Sequence, residues 1–210
     1  MIKILIADDH AIVREGLKQI LSDTGDLVVA GEATNGQEVL ELIRHEEWDL
    51  IILDLAMPGR DGLYTLKEVK REKSKIPILV LSIYPEEQYA VRALKAGAAG
   101  YLTKESAPEE LIAAIRKVSQ GGKYISASLA EKLAFDLEVD TEKPLHERLS
   151  DREYQVMLKI ASGKTVKEIA DEMSFSIKTI STYRVRALSK MGLKNNAAFT
   201  YYALKNGLVE

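Results

Sequence analysis

Ile51-Ile52-Leu53-Asp54-Leu55-Ala56-Met57-Pro58-Gly59 decides the fold. Large aliphatic residues in succession, with no polar alternation, read as a strand buried on both faces. An aspartate stands at its carboxyl end and a Pro-Gly turn follows. Working outward, this run starts at Leu50, and others of its kind occupy Ile2 to Ala7, Leu27 to Ala30, Ile78 to Leu81 and Ala98 to Leu102. Amphipathic helix-period stretches follow them at roughly 11–22, 36–45, 62–71, 86–96 and 107–119. Alternation of this kind predicts an α/β fold, a five-stranded parallel doubly wound sheet over residues 1–120.

Gly121-Gly122 closes the fifth helix, and the pattern changes there. Ser128 to Phe135 predicts one short helix, Asp136 to Lys143 is acidic without periodicity, and residues 121–144 read as a linker. Only helical patterns follow, so residues 145–210 predict a small all-α domain. Ser150-Asp151-Arg152-Glu153 is a capping box that opens a helix to about Ala161. Further helices are expected near Val166–Met173, Ile177–Met191 and Asn196–Lys205, around a core of Leu158, Ile169, Ala170, Ile180, Val185, Leu188 and Leu193.

The apolar fraction of 46% is that of a globular chain, and with no cysteine the protein has neither disulfides nor thiolate metal sites. No apolar segment approaches the roughly 20 residues that cross a bilayer, and two aspartates follow the first run directly, so a cytoplasmic protein without membrane attachment is expected. Charge is divided unevenly. Residues 1–143 carry 18 Lys and Arg against 25 Asp and Glu, net −7, whereas residues 144–210 carry 11 against 7, net +4. The second part therefore suits a polyanionic partner better than the first does.

Ligands of open parallel sheets collect beyond the carboxyl ends of the strands. Asp8 and Asp9 follow the first run, Asp54 the third, Ser82 the fourth and Lys104 the fifth. Carboxylates held together repel one another, so a hard cation such as Mg²⁺ and a lysine ammonium are their natural company. In such a pocket Asp54 would be a nucleophile toward a phosphoryl group, and Lys104 would bind one of its oxygens.

These residues resemble the receiver domain of two-component response regulators over the whole of 1–120. The resemblance implies that Asp54 accepts a phosphoryl group from a partner histidine kinase, with Mg²⁺ held by Asp9, Asp54 and the Ala56 carbonyl and, through water, by Asp8. It also implies that Ser82 turns toward the phosphoryl group and that the switch aromatic Tyr101 then rotates inward. Ser82 replaces the more frequent threonine, and Glu105 stands where many receivers have a proline. A haloacid dehalogenase-like phosphatase would need a second acid two residues after Asp54, where Ala56 stands. His10 reads as a surface residue at a helix start, and Trp48 as packing.

The basic part has its own pattern. Lys167 to Met173 forms a short helix, Ser174-Phe175-Ser176 a turn, and a longer helix begins at Ile177, with Ile169, Ala170, Met173, Ile177, Ile180 and Leu188 meeting at the crossing. From Ile177 to Lys190 there is no acid, and four of the fourteen residues are basic. Lys167, Ser176, Lys178, Thr179, Ser181, Thr182, Arg184, Arg186 and Lys190 are the candidate DNA contacts. With Leu149 to Glu153, Lys167 to Ala170 and Lys178 to Ile180, residues 146–209 resemble the LuxR-type helix-turn-helix. Val166 stands where relatives usually have a polar residue, which implies that a phosphate contact or a cap is lost there. The two domains in this order imply a transcriptional response regulator that is not an enzyme and binds paired half-sites in promoter DNA as a homodimer. The dimer would form through the receiver or the last helix, with RNA polymerase as a candidate further partner. The rival of another class is an adaptor that signals by protein contact.

Overall fold

The computed structural model describes residues 1–57, 62–127, 129–131 and 144–209. The Pro58-Gly59 turn, most of the helix expected at Ser128–Phe135 and the acidic stretch Asp136–Lys143 lie outside the described residues. The chain forms two compact units, Met1–Leu133 and Ala134–Glu210.

In the first unit, β1 (Ile2–Ala7), β2 (Leu27–Ala33), β3 (Leu50–Leu53), β4 (Ile78–Ser82) and β5 (Gly100–Thr103) form one parallel sheet in the order β2-β1-β3-β4-β5. Helices α1 (Ala11–Ser22), α2 (Gly36–His45), α3 (Gly62–Glu72), α4 (Glu86–Lys95) and α5 (Pro108–Ser119) connect and flank the strands. β3 and β4 are buried along their whole length, which is why their sequence does not alternate. Ile4, Ile6, Leu50, Ile52, Leu79 and Leu81 share a core with Leu17 and Leu21 of α1 and Leu111, Ala114, Ile115 and Val118 of α5. The intervening residues Leu5, Ile51, Leu53 and Val80 are equally buried and, by the alternation of a strand, face the opposite side of the sheet.

The strands depart from the pattern reading at the end of β2, by one residue at the end of β4, and at both ends of β5. β2 runs on to Ala33 because its pairing with β1 continues past an irregularity at Ile4/Leu5. Its polar Glu32, bound by Arg14 and Lys18 of α1 at 2.8 Å each, breaks the aliphatic run. Beyond α5 the backbone returns to the sheet. Tyr124 N–H donates to the Ala99 carbonyl (2.9 Å), the Tyr101 N–H donates to the Tyr124 carbonyl (3.4 Å), and Gly100 bridges Tyr124 in parallel. The Tyr124 hydroxyl donates to Glu110 of α5 at 3.1 Å, and Ser126 donates to Glu86 of α4.

In the described residues of the second unit, a 3-10 turn at Leu145–Arg148 is followed by α6 (Asp151–Ala161), α7 (Val166–Glu172), α8 (Ile177–Met191) and α9 (Asn196–Lys205). Each helix has its N-terminal amides capped by a side chain: Ser150, Thr165, Ser176 and Asn195, contributions of about 1 kcal/mol apiece. Thr165 and Glu168 form a second capping box, so no cap is lost at Val166. Gly192, with φ 66°, ends α8 in the left-handed conformation that favours glycine. The core corrects the sequence reading. Val185 is 58% and Ile177 54% exposed, while Ile180, Ala187 and Met191 of α8 are buried together with Tyr154, Met157 and Phe199. Ile180, Ala187 and Met191 lie seven and then four residues apart, one face of a helix, whereas Val185 falls on the opposite side. Leu188 and Leu193 are half-buried.

Candidate functional sites: an acidic pocket and a basic helix

Parallel pairing brings the carboxyl ends of β1, β3, β4 and β5 to one edge. Asp8 and Asp54 are 2% and 1% exposed there. Lys104 Nζ lies between them, 2.7 Å from Asp8 Oδ2 and 2.7 Å from Asp54 Oδ2. The other oxygen of Asp54 accepts from the Ala56 N–H at 3.0 Å. Asp8 Oδ1 accepts from the His10 N–H at 2.9 Å, and the Asp8 carbonyl from Arg14 Nη1 at 2.9 Å. Asp9 Oδ1 is 2.9 Å from His10 Nδ1 but at an angle that makes no hydrogen bond, and it is a buried oxygen without a donor. One ligand atom each from Asp8, Asp9, His10 and Asp54 falls within a 4.8 Å cluster.

Burial pushes the Asp54 carboxyl above its ordinary range, a shift that Lys104 and the Ala56 N–H partly offset and Asp8 reinforces. Lys104 responds in the opposite balance. Burial pulls its pKa down, yet its bonds to Asp54 and Asp8 leave it raised overall, so it stays an ammonium.

Ser82 is fully buried at the end of β4, and its Oγ accepts from the Tyr84 N–H at 3.2 Å. Tyr101 is 1% exposed and its hydroxyl donates to the Tyr84 carbonyl at 2.8 Å, so the side chain already points inward. Burial pushes its phenol upward. Tyr84 thus joins Ser82 and Tyr101 through the two ends of its backbone, and its ring stacks on Tyr89 of α4 with centroids 4.6 Å apart.

The second site is the outer face of α8. The turn before it holds Ser174 at φ 54°, and the Phe175 N–H donates to the Ala170 carbonyl at 2.9 Å, fixing the angle between α7 and α8. Arg152 lies over the Phe175 ring at 5.1 Å, and Phe175 meets Tyr183 edge-on. Lys167, Ser176, Lys178, Thr182 and Arg186 are exposed, and Thr179, Ser181 and Arg184 are half-buried. Arg184 Nε donates to Asn196 Oδ1 at 2.7 Å.

Residues 4–116 match the model of the response regulator receiver domain, and residues 147–203 that of the bacterial regulatory proteins of the luxR family. The chain is 35% identical to the response regulator UvrY of Escherichia coli strain K12 over 99% of its own length and 96% of that protein's. It is 36% identical to the response regulator GacA of Pseudomonas aeruginosa over 100% and 99%. Among solved structures, the RcsB response regulator of Salmonella typhimurium aligns with a TM-score of 0.71 at 29% identity over 98% of both chains. A structure of two RcsB dimers bound to two parallel DNAs aligns at 0.60 and 29% identity, over 100% of this chain and 99% of that one.

The chain is a response regulator of the LuxR family. As such it is a DNA-binding regulator of transcription in two-component signalling and not an enzyme. No helix among the described residues is long and apolar enough to cross a membrane.

In this response regulator the expected pocket residues Asp8, Asp9, Asp54, Ala56, Ser82, Tyr101 and Lys104 lie at the ends of β1, β3 and β4 and along and beyond β5. The basic set is brought together less completely. Lys190 Nζ is bonded to Glu153 Oε2 at 2.6 Å, and that buried carboxylate also accepts from the Ser150 N–H at 2.8 Å. Burial raises the Glu153 carboxyl, but Lys190 and Ser150 bring it net below its ordinary value of 4.5. Lys190 therefore ties α8 to α6. Val185 and Ser189 are exposed on the outer face of α8. Residue type alone places Val185 in the core because valine is apolar, and its exposure corrects that.

Proposed function

We propose that this response regulator accepts a phosphoryl group on Asp54 from a partner histidine kinase, and that the phosphorylated chain binds paired half-sites in promoter DNA as a homodimer through α8. The observation that carries this is the buried Asp54 carboxylate at the end of β3, held at 2.7 Å by a lysine that Asp8 shares. Asp54 attacks phosphorus, the phosphorus–nitrogen bond to the donor histidine breaks, and the imidazole leaves with the electron pair. Lys104 then keeps its charge beside the new phosphoryl oxygens. Ser82 offers its hydroxyl from the neighbouring strand end, and Tyr101 reports the change through Tyr84.

The donor set fits a hard divalent cation: its members are mainly carboxylate oxygens, and one of them, Asp9 Oδ1, is buried without a donor. Asp9, Asp54 and the Ala56 carbonyl would hold Mg²⁺, with Asp8 assisting through water. Bound there, Mg²⁺ supplies screening of negative charge on the phosphoryl oxygens.

For DNA we assign Lys167, Ser176, Lys178, Thr179, Ser181, Thr182, Arg184 and Arg186 to contacts, with Lys190 supporting the helix. The neighbouring RcsB dimers on DNA support the dimer. The division into receiver, linker and output domain at 1–120, 121–144 and 145–210 is part of the same proposal, as are the cytoplasm as the place of action and RNA polymerase as a partner at the promoter. The test is intact mass after incubation with acetyl phosphate and Mg²⁺, wild type beside Asp54→Asn, followed by sizing chromatography. One added phosphoryl group in wild type alone, abolished by removing Mg²⁺ and accompanied by a shift toward dimer, is expected. No adduct with any of several donors would overturn it.

A further inference from the structure

The outer face of α8 carries, well inside the helix, an apolar side chain that neither charge nor hydrogen bonding explains, whereas the other exposed apolar residue of α8, Ile177, is its first. Val185 is 58% exposed near the middle of a 15-residue helix, whereas Ile180, Ala187 and Met191 supply that helix's buried side at 0%, 0% and 3%. Lys178 is seven residues before Val185, Ser181 and Thr182 are four and three before it, and Ser189 is four after it. Residues at those separations share a face of an α-helix. Val185 is thus the apolar centre of a stripe of hydroxyls, with Lys178 at one end and Arg184 and Arg186 as its sequence neighbours. No acidic residue occurs between Ile177 and Met191.

An isolated exposed valine on an indifferent surface would call for no explanation. This one sits on the surface that the DNA-binding reading turns toward the major groove. Lysine, arginine and hydroxyl side chains there meet phosphates and base-edge acceptors or donors. A valine can meet only an apolar group, and the apolar group of the major groove is the C5-methyl of thymine.

We infer that Val185 is a specificity-determining residue that packs on the methyl group of one thymine in each half-site. It discriminates T·A from C·G at that position by contact with the methyl group. The inference rests on the DNA-binding reading proposed above.

The test uses the full-length protein and duplexes selected by it from a random-sequence pool at low salt. In a selected duplex each thymine is replaced singly by deoxyuridine, which removes the methyl group and leaves the hydrogen-bonding edge unchanged. Binding is measured for wild type and for Val185→Ala, an exposed helix position where alanine is well tolerated. For wild type, one replacement per half-site is expected to weaken binding by about fourfold, the effect of one buried methyl. For Val185→Ala the same replacement should change affinity by less than about 1.5-fold, while the other thymines behave alike in the two proteins. Equal sensitivity of both proteins at every thymine overturns the role of Val185 and leaves DNA binding intact. Failure of the wild type to enrich or bind any duplex overturns the DNA-binding reading itself, and the role of Val185 with it.

Discussion

Replacing Lys104 with methionine isolates what the ammonium does in the acidic pocket. Methionine keeps an unbranched stem and removes the charge that stands 2.7 Å from both Asp8 Oδ2 and Asp54 Oδ2. Those side chains are 3% and 0% exposed, so water cannot take the place of the lysine. Stripping one partner from a buried ion pair costs about 3–5 kcal/mol. The lysine side chain is itself 12% exposed, which puts the expected loss at the lower end, about 3 kcal/mol. Trp48 is the chain's one tryptophan and is buried in the first unit, so its fluorescence during urea titration follows that unit. At a urea dependence of about 2 kcal/mol per molar, the midpoint should fall by about 1.5 M.

The pH dependence has a definite sign. Without the ammonium, Asp54 rises further above its ordinary 3.8, and the native state retains a proton that the unfolded chain releases. The variant's stability therefore falls as pH rises from that value through the raised native one. Its deficit relative to wild type widens from acid to neutral pH, and excess Mg²⁺ narrows it at neutral pH. A midpoint unchanged at neutral pH, or a deficit independent of pH, would refute the reasoning.

Four further outcomes are expected. In Gly62→Ala the new Cβ would lie 2.4 Å from Leu55 Cα and 2.6 Å from the Asp54 carbonyl oxygen, backbone atoms that cannot swing aside; a loss of about 3 kcal/mol in the Trp48 titration is expected, with less phosphorylation by acetyl phosphate. Ser174→Gly relieves a left-handed serine at φ 54°, and should slow amide exchange in α7 and α8 by about threefold. Arg186→Gln should reduce the slope of log affinity for DNA against log salt by about 1. Lys190→Gln should leave that slope unchanged and instead cost the second unit about 1 kcal/mol, because it deprives buried Glu153 of its cation.

The first unit was legible because its strands are short, aliphatic and buried on both sides, and because acids placed directly after such strands can only gather at one edge. Asp8, Asp54 and Lys104 needed no more than that. The end of β2 was not legible, since Glu32 interrupts the aliphatic pattern and its partners, Arg14 and Lys18, come from another element. In the second unit the caps and helix lengths follow from local residue types, so Ser150 and Ser176 could be assigned in advance. The phase of α8 could not. Ile177 and Val185 are apolar yet exposed and Ala187 is small yet fully buried, so which side turns inward is set by packing against other elements and not by residue type. The partner of Lys190 was not legible either: its acid, Glu153, lies 37 residues away on α6.

The backbone pairing of Tyr124 with the outer edge of β5 also bears on how this protein can be cut into pieces. A fragment ending at residue 120 would contain β1 to β5 and α1 to α5, yet it would leave the Tyr101 N–H and the Ala99 carbonyl of that edge without their partners. Bare strand edges recruit other chains. A fragment so trimmed would acquire a sticky seam beside Tyr101 that the full chain keeps closed, and self-association measured on it would report the place of the cut. A fragment carried past Tyr124 and Ser126 keeps the seam covered.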